Sequence, residues 1–301
     1  MRLPLALLDL GLRLSVKRRL ARETSPQAMR ARLEASARRF FPRPKAPCCD
    51  DVLEANGLAV PALWAQTAEP SAPLLLYLHG GAYLAGSPRT HLHVGAALAE
   101  AAGARVCLPD YRLAPEHPFP AAVEDALTCY SALLGRGHAP GRIVIAGDSA
   151  GGGLAAGLLL AATDRGLPMP AAAVLFSPWA DMTGAGGTRE HNARSDAMLP
   201  AHRMGDVVDF ILQGADATNP LASPALGRFQ APPPMLITAG SGEILLDDAR
   251  ALANAVRASG GTVSLKIERG LPHAWPVFVK RLRAADRTVA EAGRFLADAL
   301  G

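Results

Sequence analysis

One serine in this chain sits where a nucleophile would be built. Ser149 lies within Gly147-Asp148-Ser149-Ala150-Gly151, after the apolar run Ile143-Val144-Ile145-Ala146 and before the small-residue run from Ala150 to Leu160. A buried strand that breaks at a glycine and re-enters a helix describes a nucleophile elbow, a sharp turn that lifts a serine hydroxyl above a sheet. Glycines on both flanks suit it because a strained turn leaves no room for a Cβ. Placed at a helix start, the serine also faces backbone N–H donors and the positive end of the helix dipole.

A serine nucleophile needs a base, and the base needs an orienting carboxylate. Among eight histidines, His273 stands out, because Gly270-Leu271-Pro272-His273-Ala274-Trp275 is a loop between the last strand-like run and the last helix. For the acid, the run Met235 to Ala239 ends at Gly240-Ser241-Gly242-Glu243, so Glu243 falls at a strand's C-terminal end. Asp247 is a helical turn further on, where its carboxylate points from the helix and favours the first-turn dipole. Glu243 is therefore preferred to Asp247. A fourth element, His79-Gly80-Gly81-Ala82-Tyr83, follows the strand-like run Leu74 to Leu78, and adjacent glycines there let backbone N–H groups point at an oxyanion. His91 and His93 stand two apart with no third metal ligand at useful spacing, so a metal site is rejected. These two, with His138, His191 and His202, are read as packing or surface histidines.

The elements that must hold these groups alternate. Strands are expected near 58–65, 73–79, 105–109, 142–147, 171–176, 234–239 and 262–267, with helices near 90–102, 119–134, 150–165, 244–259 and 277–299. Continuous apolar strands separated by helices predict a mostly parallel sheet buried on both faces, an α/β class. Residues 180–230 break the rhythm with glycines at 184–187, Pro-rich flanks and a helix at 200–213, and read as an insertion. The catalytic domain is expected over 46–301, after the Pro42-Arg43-Pro44 break.

Composition bounds the rest. The 301 residues carry a formal charge of +4, yet residues 1–45 hold 12 Lys/Arg against Asp9, Glu23 and Glu34. The remainder is therefore acidic, which excludes a nucleic-acid-binding core. Residues 1–45 predict two amphipathic helices, about 4–18 and 24–40, covering an apolar mouth. Peripheral contact with a membrane surface through the first is the alternative. A signal peptide is disfavoured by Asp9 and Arg13 within the apolar run. No run has the length and purity of a membrane span. Four cysteines without ligand spacing suit reduced thiols in a cytoplasmic protein.

With these motifs placed, the chain resembles the hormone-sensitive-lipase-like (bacterial family IV) carboxylesterases over nearly its whole length. The resemblance rests on His79-Gly80-Gly81-Ala82, on Tyr111 to Ala122, on Gly147 to Gly151, and on Ser177-Pro178-Trp179-Ala180-Asp181-Met182-Thr183. It implies an α/β-hydrolase fold with a helical cap from residues 1–45 and an insertion at about 180–220. It also implies Ser149 as nucleophile, His273 as base, and Gly80, Gly81 and Ala150 as oxyanion donors, with His79 bracing the glycine loop. Many members carry a third glycine where this chain has Ala82, and Asp in an Asp-Pro-Leu context where it has Glu243. The expected substrate is a small ester with a short- to medium-chain acyl group, with no metal or organic cofactor. A lactone is the rival substrate, and a non-catalytic small-molecule receptor of the same fold is the rival from another class. Homodimerisation through the last strand is also expected of such proteins.

Overall fold

The computed structural model describes residues 2–301. Its sheet has eight strands: β1 (Cys48–Ala55), β2 (Leu58–Ala65), β3 (Leu74–Leu78), β4 (Arg105–Pro109), β5 (Ile143–Asp148), β6 (Ala172–Phe176), β7 (Met235–Gly240) and β8 (Val263–Glu268). They lie in the order β1-β2-β4-β3-β5-β6-β7-β8. The pairs β1–β2 and β2–β4 are antiparallel, and every pair from β4–β3 onward is parallel.

The apolar runs explain the layering. Leu74, Leu76 and Leu78 of β3 pack with helices Ala121–Gly135, Ala150–Asp164 and Leu246–Ala258. Leu75 and Tyr77 point to the opposite face, against helices Pro88–Ala102 and Arg283–Leu300. Alternate side chains of one strand thus enter two cores, which is why the inner strands read as unbroken apolar segments.

Two boundaries differ from the sequence expectation. β1 is an unanticipated strand, joined to β2 by Asn56-Gly57 at φ 54° and 79°. Positive φ at both central residues makes the two-residue hairpin turn that Asn-Gly favours. β1 lacks an apolar signature because five of its eight residues are exposed and only Leu53 is buried, as can be the case in an edge strand. The last helix begins at Arg283 and not near 277, because Trp275–Phe278 forms a 3-10 turn first.

Above the strands' C-terminal ends sit the N-terminal helices. Leu5–Gly11, a π-helical Leu12–Lys17 and Arg18–Leu20 run on as one rod, followed by Pro26–Phe40. Leu8 and Leu12 of the rod pack on Trp275, Phe278 and Leu282. None of the described helices is long and apolar enough to cross a membrane.

Gly57→Val should destabilise the fold by about 1–2 kcal/mol, because a β-branched residue resists positive φ even though nothing lies within 4 Å of a Cβ there. Urea unfolding would measure this. Since the turn lies on the β1–β2 edge, the remaining strand pairs of the folded variant are expected to stay unchanged.

Candidate active site

Ser149 stands at φ 52°, ψ −122°, between the end of β5 and the first residue of helix Ala150–Asp164. This is a sparsely populated region for a residue with a side chain, and neighbouring contacts impose it. A Cβ at Gly147 would collide with the Gly151 carbonyl, and one at Gly151 would collide with the Leu78 and His79 carbonyls. The elbow is therefore wedged against the end of β3, and both glycines are required.

The structure brings Ser149, His273 and Glu243 together. His273 Nε2 lies 2.8 Å from Ser149 Oγ, and its Nδ1 lies 2.7 Å from Glu243 Oε2. A carboxylate only accepts, so Nδ1 carries the proton and Nε2 is left to accept from the serine hydroxyl. Both side chains of the His273–Glu243 pair are buried. Burial alone would lower the His273 pKa, but the adjacent Glu243 carboxylate outweighs it and raises the imidazole above its ordinary value. Asp247 lies elsewhere, accepting the Thr188 N–H at 2.9 Å and pairing with Arg250 at 3.0 Å.

Several residues that hold this pair escaped the sequence reading. Ser177, buried at φ 48° just past β6, donates its hydroxyl to Glu243 Oε1 at 2.7 Å and accepts the Ala274 N–H at 3.0 Å. One hydroxyl thus ties the acid to the histidine loop. The signal was present in the Ser177-Pro178-Trp179 motif, but no role could be attached to it without knowing that β6 and β7 are neighbours. The insertion also braces the acid turn. Asn192 donates to the carbonyls of Ser241 and Glu243 at 3.1 and 2.8 Å, and Asp196 accepts the Ile244 N–H at 3.0 Å.

The glycine loop requires a correction. Gly80 was expected to offer its N–H to an oxyanion, but that N–H donates to Asp148 Oδ1 at 3.1 Å. Asp148, buried beside Ser149, also accepts the Tyr77 hydroxyl at 2.8 Å and faces His91 Nε2 at 3.5 Å. Gly81 and Ala82 line the same cavity as Ser149 and His273, whereas Gly80 does not. Their N–H groups have no acceptor among the described residues, nor does that of Ala150. Ala82 holds φ 57°, so this chain tolerates a Cβ in a left-handed conformation there.

His79 braces the loop, with Nδ1 2.9 Å from the Gly80 carbonyl and its ring stacked 4.2 Å from Tyr111. Burial drives its pKa down to about 3, so it is neutral. His93 stacks on Phe41 and reaches the Val277 carbonyl at 2.7 Å, a packing role. No group of His, Cys, Asp and Glu residues with metal-binding geometry occurs among the described residues.

The cavity over Ser149 measures about 500 Å³. Leu8, Leu12, Val16, Met29, Leu33 and Phe40 from the N-terminal helices line it, with Met198 and Leu199 from the insertion. Its wall is overwhelmingly apolar, with the serine and histidine at one end.

Comparison with known proteins bears on the fold and the family. Residues 75–277 match the family model described as the alpha/beta hydrolase fold. An acetyl-hydrolase of Streptomyces hygroscopicus is 44% identical over 240 residues, 80% of each chain. The crystal structure of an esterase from the bacterial hormone-sensitive lipase family superposes with a TM-score of 0.90 at 38% identity, covering 100% of both chains. EstE5, crystallised and soaked with p-nitrophenyl butyrate, superposes at 0.89 with 35% identity over 98% of both. The chain belongs to the α/β-hydrolase family. Within it, the chain stands among the hormone-sensitive-lipase-like carboxylic ester hydrolases, and the expected fold class holds.

Ser177→Ala would leave Glu243 Oε1 short of one donor and the Ala274 N–H without an acceptor, costing about 1–3 kcal/mol of stability. Turnover should fall by roughly 10–100-fold with KM little changed, since the loss is of alignment and not of cavity contacts. Steady-state kinetics beside thermal unfolding would separate the two effects.

Proposed function

We propose that this protein is a serine carboxylesterase acting on short- to medium-chain acyl esters by two-step acyl transfer to water. The observation that carries the reading is the unbroken hydrogen-bonded line from Ser149 Oγ through His273 to Glu243 Oε2, at 2.8 and 2.7 Å, at the end of an apolar cavity.

In this scheme Ser149 Oγ attacks the ester carbonyl carbon while His273 Nε2 takes its proton. Glu243 stabilises the imidazolium and keeps Nδ1 as the protonated nitrogen. The oxyanion is met by the N–H groups of Gly81, Ala82 and Ala150, a donor set that replaces Gly80 by Ala82. Each such donor is worth about 3 kcal/mol where one has been removed from other enzymes. Collapse breaks the ester C–O bond, and His273 returns its proton to the departing alkoxide. Water then attacks the acyl-Ser149 by the same proton route and regenerates the serine. The apolar wall accepts an acyl chain through burial of its methylenes, each contributing about 0.8 kcal/mol. A receptor role would need neither the histidine nor its alignment with the serine.

Ser149→Ala should reduce turnover of p-nitrophenyl butyrate by roughly 10⁶-fold, and the native protein should release a burst of p-nitrophenol. Full turnover by the variant would sink the scheme. The acid limb of kcat/KM reports neutral His273, so activity rises with pH through that residue's raised pKa. Glu243→Gln removes the charge that raises it. The limb should move to lower pH, and kcat should fall by on the order of 10³–10⁴.

A further inference from the structure

The N-terminal rod carries an apolar face that the protein leaves open. Leu7, Leu10 and Leu14 are 59%, 51% and 50% exposed, on successive turns of one helix. Val52, Leu58, Leu226 and Ile267, also exposed, belong to separate parts of the chain. A contiguous exposed leucine row marks an interaction surface, where scattered single residues do not.

The surroundings of this row select its partner. At the start of the rod, Arg2, Arg269, Arg283 and Arg287 surround Leu3, Pro4 and Leu5 around a depression of about 590 Å³, which Glu268 also borders. Arg2 pairs with Asp286 at 2.8 Å. The other three arginines are exposed and have no ion-pair partner among the described residues. At the far end, Arg18 and Arg19, with Arg22 just beyond, are likewise exposed and have no ion-pair partner among the described residues. An apolar row between two cationic clusters matches a lipid surface, whose acyl boundary takes leucines and whose phosphates take guanidinium groups. A second copy fits poorly, because a two-fold contact across this face would set arginines against arginines.

The row also borders the catalytic cavity. Leu7 and Arg19 are both exposed and part of the cavity wall, which the half-buried Leu3 also lines. We propose that the rod docks this protein on an anionic lipid surface, with the cavity mouth held against it so that esters dissolved there reach Ser149. The docking itself needs no catalysis; only the source of the ester rests on the esterase reading.

The test uses the full chain and vesicles of phosphatidylglycerol mixed with phosphatidylcholine, compared with pure phosphatidylcholine. The protein should pellet with the anionic vesicles, weakly with the neutral ones, and less as salt rises. Leu10→Ser with Leu14→Ser, neither of which lines the cavity, should weaken pelleting about tenfold. The same double variant should hydrolyse water-soluble p-nitrophenyl acetate at the native rate, which shows that it folds. Arg18→Glu with Arg22→Glu should weaken the preference for anionic vesicles, since the arginines at the other end remain. Absence of native protein from the pellet, or a leucine variant that pellets equally, overturns the proposal. So does a native dimer in sedimentation velocity that the leucine variant converts to monomer, since the row would then join two copies.

Discussion

The site depends first on a steric constraint, the closeness with which the elbow after β5 presses on the end of β3. Backbone carbonyls packed against Gly147 and Gly151 leave no space for side chains there, and Ser149 between them is held at a positive φ. The same contact fixes the glycine loop after β3 beside the serine, because Asp148, within the elbow, accepts the Gly80 N–H. Ser149 and the glycine loop are thus positioned by one piece of packing. The strain at Ser149 is of the order of 1–3 kcal/mol, and the buried sheet beneath offsets it.

The hydrogen-bonded line from Ser149 through His273 to Glu243 is held on the neighbouring strands by different means. β6 and β7 lie side by side, so Ser177 at the end of one reaches Glu243 beyond the end of the other. That hydroxyl also takes the Ala274 N–H, making the histidine loop answer to the same support. The insertion adds Asn192 and Asp196 beneath the acid turn. It therefore shapes the cavity and steadies the acid together.

Sequence alone carried most of the architecture because seven of the eight strands are apolar or bounded by glycine and proline. Ser149, Glu243 and His273 were legible from their places at strand ends, which is a local property. β1 was missed although Asn56-Gly57 marks a hairpin, because an exposed edge strand has no apolar pattern. The inward turn of the Gly80 N–H, where an outward one is expected, has a related cause. Which N–H of a glycine loop turns outward depends on the partner across it, and Asp148 is 68 residues away. Ser177, Asn192 and Asp196 act through contacts between segments distant in sequence, so no role can be read from their residue types alone.

The central claim is that Ser149 is the acylated nucleophile, and its most direct test is covalent. A p-nitrophenyl phosphonate should attach one phosphonyl group per chain, and peptide mapping should locate it on Ser149 with complete loss of esterase activity. His273→Ala should label far more slowly. A label on another residue, or hydrolysis persisting after one equivalent has reacted at Ser149, would contradict the account.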